Sequence, residues 1–168
     1  MATRKRIQQI ADALIGSNPV APINVDEIIE RQGIRLVPYE EPGISGILMI
    51  ERNRATIGYA EHENTNRQRF TKAHELGHFM LHRGGDLFID KDFKTMHRPS
   101  TNTPSSAWQE WEANEFAACL LMPEELLKKE MKKIKVDYED ERWMRQLADK
   151  FEVSLAAMSI RISRLGLD

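Results

Sequence analysis

His74-Glu75-Leu76-Gly77-His78 is the stretch around which the rest of this chain is read. An α-helix turns about 100° and rises about 1.5 Å per residue, so His74 and His78 stand one turn apart on one face and can aim one ring nitrogen each at a single ion. Glu75 lies beside that face, able to reach a metal-bound water without joining the ligand set. Upstream, Asn66 to Ala73 runs into the motif without Pro or Gly, and apolar Phe70, Ala73, Leu76, Phe79, Met80 and Leu81 cover much of the helix surface. This pattern predicts a core helix. Gly77 costs such a helix about 1 kcal/mol relative to Ala, which predicts that another backbone approaches closely there.

Two imidazoles need a third ligand. His82 continues the i, i+4 series, but it lies ~12 Å from His74 along a straight helix, too far for both to hold one ion. It is expected behind the ligands, facing substrate, or half-exposed at the helix end. His62 and His97 stand in polar, loop-like contexts. The next helix, Trp108 to Met122, has apolar residues at 113, 116, 117, 120 and 121 and three acids, Glu110, Glu112 and Glu115. Glu112 precedes Phe116 by one turn and extends its side of the buried stripe. Glu110, about 200° away from Glu112, is expected to face solvent, and Glu115 stays open as an alternative.

The run Arg69 to His82, followed by Glu112-Ala-Asn-Glu-Phe-Ala-Ala-Cys-Leu-Leu-Met-Pro123, resembles the ImmA/IrrE family of metallo-endopeptidases. The resemblance implies a gluzincin-like fold, Zn²⁺ as cofactor and Glu112, the Glu of the family's Glu-Ala-Asn motif, as third ligand. It also implies a bacterial or phage setting in which the substrate is a helix-turn-helix transcriptional repressor.

The chain of 168 residues is 41% hydrophobic, enough for one sizeable core. The expected organisation is a single domain over 1–168, with a catalytic core at 1–135 and a helix-turn-helix-like segment at 136–168 packed on it. A net charge of −2 and a pI near 6.2 argue against strong nonspecific nucleic-acid binding. Cys119 is the one cysteine and lies on an apolar helix face, so it reads as a small buried hydrophobe. The sequence shows no signal-peptide pattern, and no apolar run approaches the roughly 20 residues that span a bilayer. A cytoplasmic protein is expected.

The expected fold is α+β and zincin-like, with a small antiparallel or mixed sheet, the HExxH core helix and carboxy-terminal helices. Lys5 to Ile15 is amphipathic and stops at Gly16. Asn24 is suited to cap a helix from Val25 to Gln32 that ends at Gly33. Ile34 to Tyr39 is strand-like, and Ile44 to Ile50 with Ala55 to Ala60 flank a charged turn, predicting a hairpin. Either hairpin strand is expected to offer a sheet edge to extended substrate, or only to complete the core. The polar stretch Arg98 to Ser106 reads as a connection or a substrate-gating flap. Pro123 opens a further helix whose lysines form a solvated face. Residues 142–165 resemble a helix-turn-helix in which Arg161 and Arg164 could meet DNA phosphates; the reading taken is a closing hairpin packed through Trp143, Leu147, Phe151, Leu155, Met158 and Ile162.

Together these features predict a zinc endopeptidase with His74, His78 and Glu112 as ligands and Glu75 as general base. Tyr59, His82, Arg69 and His97 are the candidates to stabilise an oxyanion. The alternatives are a DNA- or partner-binding regulator with a structural metal site, and a zinc hydrolase acting on non-protein substrates. Two His and one carboxylate favour Zn²⁺, with Mn²⁺ or Fe²⁺ also compatible.

Overall fold

The structure is a computed structural model that describes residues 2–52, 54–82, 87–91, 104–134 and 142–167, the backbone alone at 87–91 and 104–106. The chain runs α1 (Arg4–Ile15), α2 (Val25–Arg31), β1 (Arg35–Tyr39), β2 (Ile44–Glu51), β3 (Arg54–Ala60), α3 (Thr65–Leu81) and β4 (Leu87–Lys91). It continues through α4 (Pro104–Leu121), α5 (Glu124–Met131), α6 (Arg142–Phe151) and α7 (Leu155–Leu165). This is the expected α+β architecture.

Local chemistry sets most of the boundaries. The side chains of Thr3, Asn24, Asn64 and Ser154 each accept a hydrogen bond from the backbone N–H three residues on, satisfying a donor that the first helical turn leaves open. After α2 the chain must reverse into β1. Gly33 does this at φ +71°, a conformation that costs a side-chain-bearing residue about 1 kcal/mol or more.

The sheet has the order β1-β3-β2-β4. β1 runs parallel to β3 with Arg35 opposite Thr56 and Tyr39 opposite Ala60, while β2 is antiparallel to both β3 and β4. Both hairpin strands are therefore interior, and the expectation that one of them offers a free edge is corrected. Among the described residues the edges are β1 and β4, because α2 leads β1 in beside β3 and β4 returns along the other side of β2. On the inner face Gly46 pairs with Tyr59, Leu48 with Ile57 and Ile50 with Ala55. Leu48 and Ile57 are fully buried, and α3 lies across this face.

The helix α3 is enclosed from Thr71 to His78, every residue of that stretch being buried. Its partner on the side away from the sheet is α4, and this pair forms the most extensive helix-helix contact in the described structure. Phe116, Ala117, Leu120 and Leu121 of α4 are fully buried and join Ile7 and Ala11 of α1 and Leu76 of α3 in one core. Lys72, also buried, is held by both carboxylate oxygens of Asp26 at 2.8 and 3.0 Å and stands 4.1 Å from the centre of the Tyr59 ring. At the far end, Trp143, Leu147 and Phe151 of α6 and Met158 and Ile162 of α7 are buried in the same core, and Leu155 is half-buried. The carboxy-terminal segment is a packed hairpin.

Gly77 is where α3 and α4 come closest. A Cβ built there would lie 3.1 Å from the Ala113 Cα, 3.2 Å from the Ala113 carbonyl oxygen and 3.1 Å from Phe116 Cδ1. The close backbone approach expected from the sequence is present. Gly77→Ala should therefore lower stability by about 1–3 kcal/mol, overpacking outweighing the gain in helix propensity. Urea denaturation with an unchanged m-value would measure this, and a more stable variant would contradict it.

Candidate metal centre

Because α3 is straight through the motif, the rings of His74 and His78 lie side by side and their Nε2 atoms are 3.0 Å apart. Both are buried, at 2% and 1% exposure. The carboxylate that completes the group belongs to Glu110, whose two oxygens lie 3.1 Å from His74 Nε2 and 3.2 Å from His78 Nε2. Two atoms bound tetrahedrally to zinc at about 2.0–2.1 Å are about 3.3 Å apart, so each imidazole nitrogen stands about one such separation from the other and from one oxygen of the carboxylate. Among the described residues, this is the cluster of His, Cys, Asp or Glu with the spacing to hold an ion.

Glu110 thus stands where the sequence reading expected Glu112, and the expectation that it faces solvent is corrected. The reason lies in which stripe of α4 meets α3. Glu110, Ala113, Asn114 and Ala117 follow one another at helical spacing, and the small side chains of 113 and 117 let this stripe approach Gly77. Large apolar residues mark the face toward the general core, and that face misled the assignment. The i, i+4 pair Glu110 and Asn114, with alanines between and beyond, was the available signal.

Glu112 lies behind the pair of imidazoles. Its Oε2 is 2.8 Å from His82 Nε2, and its Oε1 accepts the backbone N–H of Ala2. His82 Nδ1 is in turn 3.1 Å from His78 Nδ1, while His74 Nδ1 is 3.1 Å from the amide oxygen of Asn114. One proton arrangement satisfies all of these contacts. Glu112 accepts from His82 Nε2–H, His82 Nδ1 accepts from His78 Nδ1–H, and Asn114 accepts from His74 Nδ1–H. That arrangement would leave both Nε2 atoms to a cation held against Glu110.

Burial lowers the His78 pKa against the opposing pull of Glu110, which favours the neutral ring. Burial alone would raise the Glu110 carboxyl, but hydrogen bonds from His74 and His78 override it and bring the group down to about 2. Burial likewise opposes ionisation of Glu112, and its bonds to His82 and Ala2 still leave it below the usual carboxylate range.

Glu75 is fully buried and lies against β2. A Cβ on Gly46 would stand 2.6 Å from Glu75 Oε1 and 2.5 Å from Thr71 Cγ2, so the bare backbone of Gly46 makes the space this carboxylate occupies. Tyr59 instead packs under Lys72, about 200° around α3 from His74. Arg69 bonds the carbonyl of Ile23 at 2.9 Å and approaches Glu152 at 3.4 Å, joining the α1–α2 connection to the end of α6. His62 is exposed. His97 and most of the polar stretch, residues 98–103, fall outside the described residues, and Pro104 already begins α4.

The phosphate-binding alternative loses its main cation. Arg161 is 3% exposed and donates to the Met122 carbonyl at 3.1 Å and to Gln8 Oε1 at 2.9 Å, while Arg164 donates to Glu115 at 2.8 Å. Glu115, the ligand candidate left open above, is thereby committed to these arginines.

A buried His pair, a carboxylate from the following helix and a buried Glu beside the first His fit a metallopeptidase centre of the HExxH type. Residues 29–163 match the family described as the IrrE N-terminal-like domain, peptidase family M78. The match covers most of the chain, and the chain belongs to this family of metallopeptidases. A comparison with curated proteins found no match. No helix among the described residues is long and apolar enough to cross a membrane.

Cys119 sits on the buried side of α4, at 2% exposure, and takes no part in the centre. Burial pushes its thiol up to about 11, only partly offset by Arg161. In the unfolded chain the thiol ionises first, so its contribution to stability is present below about pH 9 and is lost as pH rises toward 11. At pH 8 the native thiol should resist alkylation and react at full rate in denaturant; rapid native labelling would contradict the burial.

Proposed function

We propose that this chain is a zinc-dependent endopeptidase in which His74, His78 and Glu110 hold the metal. The observation that carries this reading is the meeting of two imidazole nitrogens, 3.0 Å apart, with the two oxygens of one carboxylate at 3.1 and 3.2 Å. Two nitrogens and one carboxylate are a donor set suited to Zn²⁺ that leaves a position for substrate. When bound, the cation supplies Lewis acidity, which makes water a usable nucleophile near pH 7.

The chain's own groups do the rest. Glu75 takes a proton from the attacking water and delivers it to the departing amine nitrogen. Asn114 and the His82–Glu112 pair hold the two imidazoles in the required tautomer and orientation, in the way that groups behind metal ligands do elsewhere. Tyr59 and Arg69 are engaged away from the centre, and His82 is engaged with Glu112, so none of the three is assigned to the oxyanion. The proposed substrate is a helix-turn-helix repressor, a reading that rests on the resemblance of Arg69–His82 and Glu112–Pro123 to the ImmA/IrrE family.

Metal titration separates the two acids. Glu110→Ala should lose tight Zn²⁺ binding, whereas Glu112→Ala should weaken it about 10–100-fold; the reverse ranking would return the ligand role to Glu112. Glu75→Gln should keep one equivalent of zinc and lose peptide cleavage by a factor of about 100 or more. Retained turnover in that variant would defeat the mechanism.

A further inference from the structure

A trough of about 590 Å³ opens beside the metal centre, between the first half of α3, the exposed side of α4 and the face of α7. Its head is formed by His74, Glu110 and Asn114. The apolar part of its lining includes Phe70, Ala118, Met122, Val153, Ala157 and Ile160, and polar Asn64, Asn66, Arg67, Ser154, Arg161 and Arg164 line it as well. The volume is within the range of about 300–1,000 Å³ usual for ligand pockets.

We propose that this trough is the pocket that selects the substrate, taking one large aliphatic or aromatic side chain within a residue or two of the cleaved bond. The proposal rests on the peptidase reading for what occupies the trough and adds which side chain is chosen and which helix chooses it.

Three observations carry it. The trough begins at His74 and Glu110, so whatever fills it lies next to the reacting centre. Alanines at 118 and 157 line the trough without filling it. Its cations are already engaged, Arg164 with Glu115 at 2.8 Å, Arg161 with the Met122 carbonyl and Gln8 at 3.1 and 2.9 Å, and Arg67 with Glu63 at 3.7 Å. An acidic side chain gains little from paired arginines, whereas an apolar one gains by leaving water. Ile160, 54% exposed at the rim, supplies a further apolar surface that substrate would cover. In this arrangement the second helix of the helix-turn-helix-like segment reads protein side chains.

The test uses the full chain carrying Glu75→Gln and loaded with zinc, so that no turnover intervenes. The peptides acetyl-Gly-Gly-X-Gly-Gly-amide, with X as Leu, Phe, Ala or Asp, are titrated while the methyl resonance of Met122 is followed by NMR. Leu and Phe should bind at least about tenfold more tightly than Ala or Asp and shift Met122. Ala157→Phe, which fills the trough, and Ile160→Glu, at an exposed rim position, should each bring the Leu:Ala ratio below about threefold. Binding without side-chain preference, or preference unchanged in both variants, overturns the proposal even if the wild-type protein cleaves peptides. A Leu preference lost in the variants, together with no cleavage of any peptide by the zinc-loaded wild type, would sustain the pocket and defeat the peptidase reading.

Discussion

At Gly77 the helix α3 carries no side chain, and the Cα and carbonyl of Ala113 come within 3.1 and 3.2 Å of where one would begin. Helices usually pack with axes 8–10 Å apart because side chains separate them, and a glycine facing an alanine permits the closest of these distances. The reach of a glutamate is short on this scale. Only with α4 pressed against α3 can Glu110 place one oxygen against each imidazole while Asn114, one turn on, meets the back of His74. The same contact lets side chains from two successive helices meet across one interface.

Burying two imidazoles and two carboxylates costs several kcal/mol unless each polar atom finds a partner. Here the partners form two short chains leading away from the centre. One ends at the amide of Asn114. The other passes from His78 through His82 to Glu112 and ends at the backbone of Ala2, just before α1. Helix α1 precedes the residues matched by the family, which begin at 29, yet it packs on α4 and this extension fixes the buried acid behind the site. On the opposite side of α3, Lys72 and Asp26 play a comparable part beneath Tyr59, so the motif helix is fixed on both flanks by paired charges.

Much of this was legible in the sequence because it is written in local chemistry. Asn24 caps the helix that follows it, Gly16 and Gly33 end helices, and the charged turn between Ile50 and Ala55 closes a hairpin. Each is a short-range interaction that a few adjacent residues determine. The HExxH spacing put His74 and His78 on one face of a helix for the same reason. The two misreadings concern contacts between distant segments. Strand order depends on where β1 and β4 come to lie, which the hairpin does not encode. The choice of Glu110 over Glu112 depends on which stripe of α4 meets α3, and the small residues that decide this were outweighed by Phe116 and Leu120. Asn114 escaped notice because its role exists only opposite His74.

The guanidinium of Arg161 joins parts of the chain that are far apart in sequence, meeting Met122 at the end of α4 and Gln8 in α1, a separation of 153 residues in the second case. Contacts of such long span form late, because the entropy of closing the intervening loop must be met before they contribute. During synthesis the motif helix and α4 leave the ribosome well before α7. The two imidazoles and Glu110 can therefore come together while one wall of the adjoining trough is still missing, so the closing of α7 over the site is a later event than the meeting of α3 and α4.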